Sequence, residues 1–135
     1  MADNKQKHLE FIQNVITRMN SNSFLIKGWA ITLISAICAL AANDANVKYI
    51  LISYISVLIF WGLDGYYLSK ERQFRALYKV VAGKVDSAID YSMDVSSYNN
   101  GKNTWISSTF SVTVWVVFVA ILLITTIIMC LFIYG

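Results

Sequence analysis

The chain contains no proline, and charged residues make up only 14% of its 135 residues. Without proline, nothing covalent kinks or stops a helix from inside. A soluble domain averages about 25% charged residues, so the shortfall argues against one. Two cysteines cannot build a disulfide scaffold. Cys38 and Cys130 both lie in apolar runs and read as small buried hydrophobes. Both fall toward the same outer half of a membrane, so a bridge between them stays open. The single histidine, His8, sits in a polar arm and suggests no metal site and no cofactor.

What is present is apolar length. Three runs dominate: Phe24–Ala42, Tyr49–Leu68 and Trp105–Tyr134. A helix needs roughly 20 apolar residues to cross about 30 Å of hydrocarbon. Once these runs are set aside, roughly fifty residues remain, too few for an independent soluble enzyme domain. The runs themselves hold no histidine, no glutamate and a lone aspartate, which leaves little for acid–base or metal chemistry. The expected fold is an all-α membrane protein with three transmembrane helices, an N-terminal amphipathic helix, a cytoplasmic extension of the second span, and assembly as a homo-oligomer. The expected segments are an amphipathic helix over 1–23, a helical hairpin over 24–68, a basic helix and loop over 69–104, and a third span over 105–135.

The chain opens Met-Ala-Asp-Asn-Lys-Gln-Lys, and its first apolar run begins only at Phe24. That pattern reads as a retained span and not as a signal peptide. Basic residues near spans set orientation. Ten of the eleven lie in the N-terminal arm, the start of span one, or the loop after span two; Lys48 alone lies between spans one and two. The expected topology in a bacterial inner membrane has the N-terminus cytoplasmic and the C-terminus periplasmic.

Asn43–Asn46 is a tight polar turn, which makes spans one and two an antiparallel hairpin. At 1.5 Å per residue, Lys27 and Asp64 both fall roughly 22–24 Å below that turn. A charge inside a span is costly unless it has a partner, and their matched depth predicts an ion pair within or between subunits. The alternative is that Lys27 snorkels to the headgroups and Asp64 is already wet.

Leu9, Ile12, Val15, Ile16 and Met19 repeat at helical spacing in the arm. Asn20-Ser21-Asn22-Ser23 are capping-type residues, so a bend is expected there. Span two has no stop at its inner end. Phe74, Leu77, Tyr78, Val81 and Val85 continue its apolar stripe, and Glu71 supports Arg75 at i,i+4. One helix is expected from about Lys48 to the low eighties, packed on the N-terminal helix. Residues 86–104 read as a short helix and then a loop, with no calcium-loop spacing, and Trp105 reads as an interfacial anchor.

Arg72, Arg75 and Lys79 stand at i, i+3 and i+7. The stripe has three readings: a solvated face, a seat for anionic lipid headgroups, or a phosphate-binding site. Tyr66, Tyr67 or Tyr78 would stack on bases in the third reading. Around an oligomer axis the stripe would form a positive ring.

Gly28, Thr32, Ser35, Ala39 and Ala42 share a face of span one, a spacing that lets helices approach closely. Span two presents Tyr49, Ser53, Ser56, Phe60 and Asp64. Span three presents Thr104, Ser108 and Ser111, then Trp115, Phe118 and Leu122, then Thr125 and Thr126. Either stripe reads as a pore lining gated by dewetting at Phe60 or Phe118, or as a helix interface whose hydroxyls bond back to carbonyls. Three spans do not enclose a conduit, so a channel would need a symmetric oligomer.

The run Asn22-Ser23-Phe24-Leu25-Ile26-Lys27-Gly28-Trp29 resembles the entry to the first span in a group of small bacterial inner-membrane proteins. Asp64-Gly65-Tyr66-Tyr67, Glu71-Arg72-Gln73-Phe74-Arg75 and the tryptophan opening the last run fit the same group. Some members are similar to the transmembrane effectors encoded beside nucleotidyltransferases in anti-phage systems, the Hailong-type channel effectors among them. The resemblance implies an ion-channel effector acted on by an oligodeoxyadenylate signal that a partner nucleotidyltransferase makes. Ser23, Phe24, Lys27, Gly28, Trp29 and Asp64 are the positions it carries over. Together these readings lead to an expected ligand-gated channel, with a tetramer favoured. Arg72, Arg75, Lys79 and Tyr78 would hold the nucleotide or oligonucleotide, and membrane lipid would surround the spans. The alternative is a non-conducting structural or regulatory subunit of a membrane complex.

Overall fold

A computed structural model describes residues 2–44 and 46–135. Among these residues there are four α-helices, α1 (Ala2–Asn43), α2 (Val47–Ala82), α3 (Trp105–Thr109) and α4 (Val112–Tyr134). No strand occurs among the described residues. Helices α1, α2 and α4 are each long and apolar enough to cross a membrane. The 42 residues of α1 span roughly 63 Å, twice a hydrocarbon core, so about half of it must project beyond any bilayer. The end where it projects, which also carries residues 83–104, is called the basal end below.

Local chemistry explains the helix limits. Asn46 caps α2 by accepting from the Lys48 backbone N–H at 3.0 Å. Gly83 closes it, donating to the Lys79 carbonyl. The span from Val47 to Ala82 agrees with the extent read from the apolar stripe.

The helix α1 runs unbroken through Asn20–Ser23, so the capping-type residues there do not end it. Ser23 does not cap backbone there; it turns inward and bonds Asp64. The segment boundaries at 23/24 and 68/69 therefore fall inside continuous helices. A membrane surface changes the solvent around a helix without ending its hydrogen bonds.

The third span begins at Val112, seven residues later than expected. Trp105–Thr109 is a separate short helix, capped by Thr104 accepting from the Ser107 N–H at 3.3 Å. The chain breaks at Phe110 and Ser111, and Ser111 restarts it as the N-cap of α4. Residues 86–104 hold no α-helix, only single 3₁₀ turns at Asp86–Ala88, Ser96–Tyr98 and Gly101–Asn103. Side chains take over the backbone there. Asp90 accepts from Ser92 N–H, Ser92 from Asp94 N–H, and Asp94 from Ser96 N–H, at 3.1, 3.1 and 2.9 Å. Such local bonds compete directly with helix.

Two cores result. In the spans, Ile26, Ala30, Ile34, Ile37 and Ala41 of α1 meet Val57 of α2 and Val114, Phe118 and Met129 of α4. At the basal end, Ile12 and Ile16 meet Leu77, Val81, Ile89 and Val95. The arm thus packs on the extension of α2, with Leu9 at the margin. The face of α1 read as a packing surface behaves differently. Gly28, Thr32, Ser35, Ala39 and Ala42 are all exposed, and the isoleucine face is buried instead. Thr32 and Ser35 satisfy themselves on the Gly28 and Ile31 carbonyls at 2.9 and 2.7 Å.

Candidate functional site

The spans bury one charged cluster. Lys27 Nζ lies 2.5 Å from Asp64 Oδ2, joining α1 to α2 within one chain. Asp64 is fully enclosed, whereas the Lys27 side chain keeps 22% exposure. Ser23 completes the cluster. Its hydroxyl donates to Asp64 Oδ1 and accepts from Lys27 Nζ at 3.1 Å. Oδ2 contacts the ammonium off the usual hydrogen-bond direction and receives no hydrogen bond in the described structure. The cluster satisfies the main condition for keeping a carboxylate in a low-dielectric interior: an opposite charge in contact with it and a donor on its second oxygen. The sequence alone does not mark Ser23 as a partner of Asp64. Its i,i+4 relation to Lys27 was the available signal.

Immediately after Asp64, α2 meets α3. Gly65 permits this contact, since a Cβ there would stand 2.8 Å from Thr109 Cα. Trp61 then donates its indole N–H to the Thr109 carbonyl at 2.8 Å and stacks on Phe118, 6.2 Å between centroids. On the next turns, Ser69 donates to the Asn103 carbonyl at 2.6 Å, and Gln73 donates to the same carbonyl at 3.2 Å.

The basic stripe is not three free cations. Arg72 donates to the Lys102 carbonyl at 2.6 Å and to Ser111 Oγ at 3.0 Å, bracketing the loop and the start of α4 against α2. Arg75 pairs with Glu71 at 3.1 Å but stays largely exposed. Lys79 is exposed. Tyr78 is half-buried, packed against the edge of the basal core. The bracketing role of Arg72 was not legible, because its partners are thirty or more residues away.

The candidate pore residues separate. Ser53 and Phe118 have no exposed surface and belong to the interior of the protomer. Ser53 donates to the Tyr49 carbonyl at 2.8 Å. A central axis between protomers would not meet either side chain in this arrangement. Ser56 and Phe60 are partly exposed; Ser56 bonds the Ile52 carbonyl at 2.9 Å, and Phe60 borders the span core. Cys38 and Cys130 are free thiols. Among the described residues no group of histidine, cysteine, aspartate and glutamate is placed to hold a metal.

No family model matches the chain, and no curated protein or solved structure matches it either.

Proposed function

We propose that the chain is one protomer of an oligomeric, ligand-gated ion channel in a bacterial inner membrane, with a tetramer favoured. It would act as an anti-phage effector whose opening depolarises and arrests the infected cell. A nucleotide or oligonucleotide, made by a partner nucleotidyltransferase, is the proposed signal. The observation that carries this reading is the division of labour on α1. Its ion pair is fully used inside the protomer, while its small-residue face is left uncovered. Such a face supports close packing against the same helix in other copies.

Arg72 supplies the coupling element in this proposal. An anion bound at Arg75 and Lys79 would compete for its guanidinium. It would weaken the hold on Ser111, the residue that starts α4. A ligand shifts an equilibrium only by its differential affinity for the two states. Here the difference lies in whether Arg72 faces the phosphate or Ser111.

The test is ion flux from liposomes holding only this protein, with and without oligodeoxyadenylate. Ligand-dependent flux that Arg75→Glu abolishes while assembly persists supports the reading. Absence of flux at every ligand concentration removes it. The second reading, a non-conducting structural or regulatory subunit, is favoured by the enclosure of Ser53 and Phe118, since two of the candidate pore residues are already spent in packing.

A further inference from the structure

Residues Leu58, Gly62, Tyr66, Lys70 and Phe74 follow one another at four-residue spacing along a single line of α2. The line passes from the apolar span to the basal end, and two cavities open along it. The upper cavity, about 530 Å³, is a groove between Leu58, Ile59, Gly62 and Leu63 on one side and Trp105 on the other. Trp105 is held there because its indole N–H donates to the Gly62 carbonyl at 2.9 Å. The lower cavity, about 480 Å³, lies between α1, α2 and the loop around Asp94, and Arg18 and Lys70 stand in its wall. Tyr66 lines both cavities, so the two are neighbours along α2.

The charges in the lower cavity are unbalanced. Neither Arg18 nor Lys70 forms a salt bridge with a carboxylate among the described residues. Lys70 Nζ sits 5.7 Å from the centre of the Tyr66 ring. The one carboxylate on the wall is Asp94, whose Oδ1 accepts from the Ser96 backbone N–H at 2.9 Å. Two cations therefore face one carboxylate already engaged by the loop.

We propose that the two cavities form one binding site for an anionic phospholipid of the adjacent leaflet. Its phosphate lies between Arg18 and Lys70, its glycerol region passes Tyr66, and one acyl chain lies in the groove beneath Trp105. Tyrosine and tryptophan favour that depth because each ring has an apolar body and a polar edge. Each basic residue near the surface raises the preference for anionic over neutral lipid roughly fivefold. A soluble phosphate would use the cations but leave the groove unfilled, so the apolar groove beside the charged hollow favours the lipid.

The test reads tryptophan fluorescence of the full chain in phosphatidylcholine bilayers containing a small fraction of lipid with brominated acyl chains. Brominated phosphatidylglycerol should quench more strongly than brominated phosphatidylcholine at the same fraction, and Trp105→Phe should remove the excess. Replacing both cations, Arg18→Gln with Lys70→Gln, should also remove it, whereas Arg18→Lys with Lys70→Arg should keep it. Equal quenching by the two lipids in the unaltered protein overturns the proposal without recourse to any variant. An excess that survives in the glutamine variant overturns the assignment to these cations. Millimolar glycerol phosphate should leave the excess intact; its disappearance would mean that a free phosphate occupies the site, which also overturns the proposal.

Discussion

Ser23 and Lys27 lie one helical turn apart on α1, and both reach Asp64 on α2. The carboxylate is therefore locked by a hydroxyl and an ammonium from the same face of a neighbouring helix. Removing one charge strands the other. Asp64→Leu or Lys27→Met should each destabilise the helical pair by about 3–5 kcal/mol. The double variant should recover most of that loss, because an apolar pair has no desolvation cost. Thermal unfolding in a fixed detergent checks the cycle. Additive losses in the double variant would show that the two groups do not act as a pair.

Phe118 is enclosed by Trp61 and the span core, so its truncation should act on stability. Phe118→Ala should cost about 3–5 kcal/mol, and Phe118→Leu less. Resting liposome leak should rise no more in Phe118→Leu than in the unaltered protein. A leak that scales with side-chain size, at unchanged stability, would instead place Phe118 at a gate.

Gly65 is the position at which α3 touches α2. Gly65→Ala puts a methyl group against the Thr109 backbone, which cannot give way as a flexible side chain would. The expected cost is about 1–3 kcal/mol. Displacing Thr109 also breaks the bond from Trp61, so the tryptophan emission should shift. Unchanged emission and unchanged stability would mean that α3 is not seated there.

Arg72→Gln should loosen the Gly101–Asn103 turn and the start of α4 together, since one guanidinium reaches both, with Ser69 and Gln73 still holding the Asn103 carbonyl. Hydrogen exchange at residues 101–104 and 111–115 should rise in step, while α1 is unaffected. A rise at only one of the two sites would separate the bracket into independent contacts.

Asp94 lies outside the spans, and its carboxyl titrates below its ordinary value of 3.8. The bonds from Ser96, backbone first, lower it, with a smaller contribution from Lys70. The loop is therefore supported fully above that value, and the support is lost as the pH falls through the lower folded value. Asp94→Asn should speed amide exchange at Ser96 at neutral pH and flatten its dependence on acid, after correction for intrinsic rates.

How much of this was readable in advance depended on where each residue's partner lies. The hairpin and the extent of α2 were legible, because turn residues and a cap are local and an apolar stripe persists along one helix. The meeting of Lys27 and Asp64 was legible because two antiparallel helices of fixed rise bring equal distances from a turn to equal depth. The inner face of α1 was not legible. On a helix that is apolar nearly all round, no periodicity marks the inner face, so the small residues of α1 and the isoleucines beside them were equally eligible for burial. Only the packing of α2 and α4 against the isoleucine face of α1 decides between them.

By itself the sequence determined that three helices are long and apolar enough to span a membrane, that two charges sit at one depth, and that the basic residues gather at one end. These follow from length, rise and composition, which need no partner. The tertiary structure alone decided that Ser23 joins the ion pair, that Arg72 is engaged with Ser111, that Phe118 is enclosed, and that Tyr66 lines both a charged hollow and an apolar groove. Each of these depends on residues distant in the chain coming within a few ångströms. Contact of that kind is set by how helix surfaces fit, which no single segment encodes.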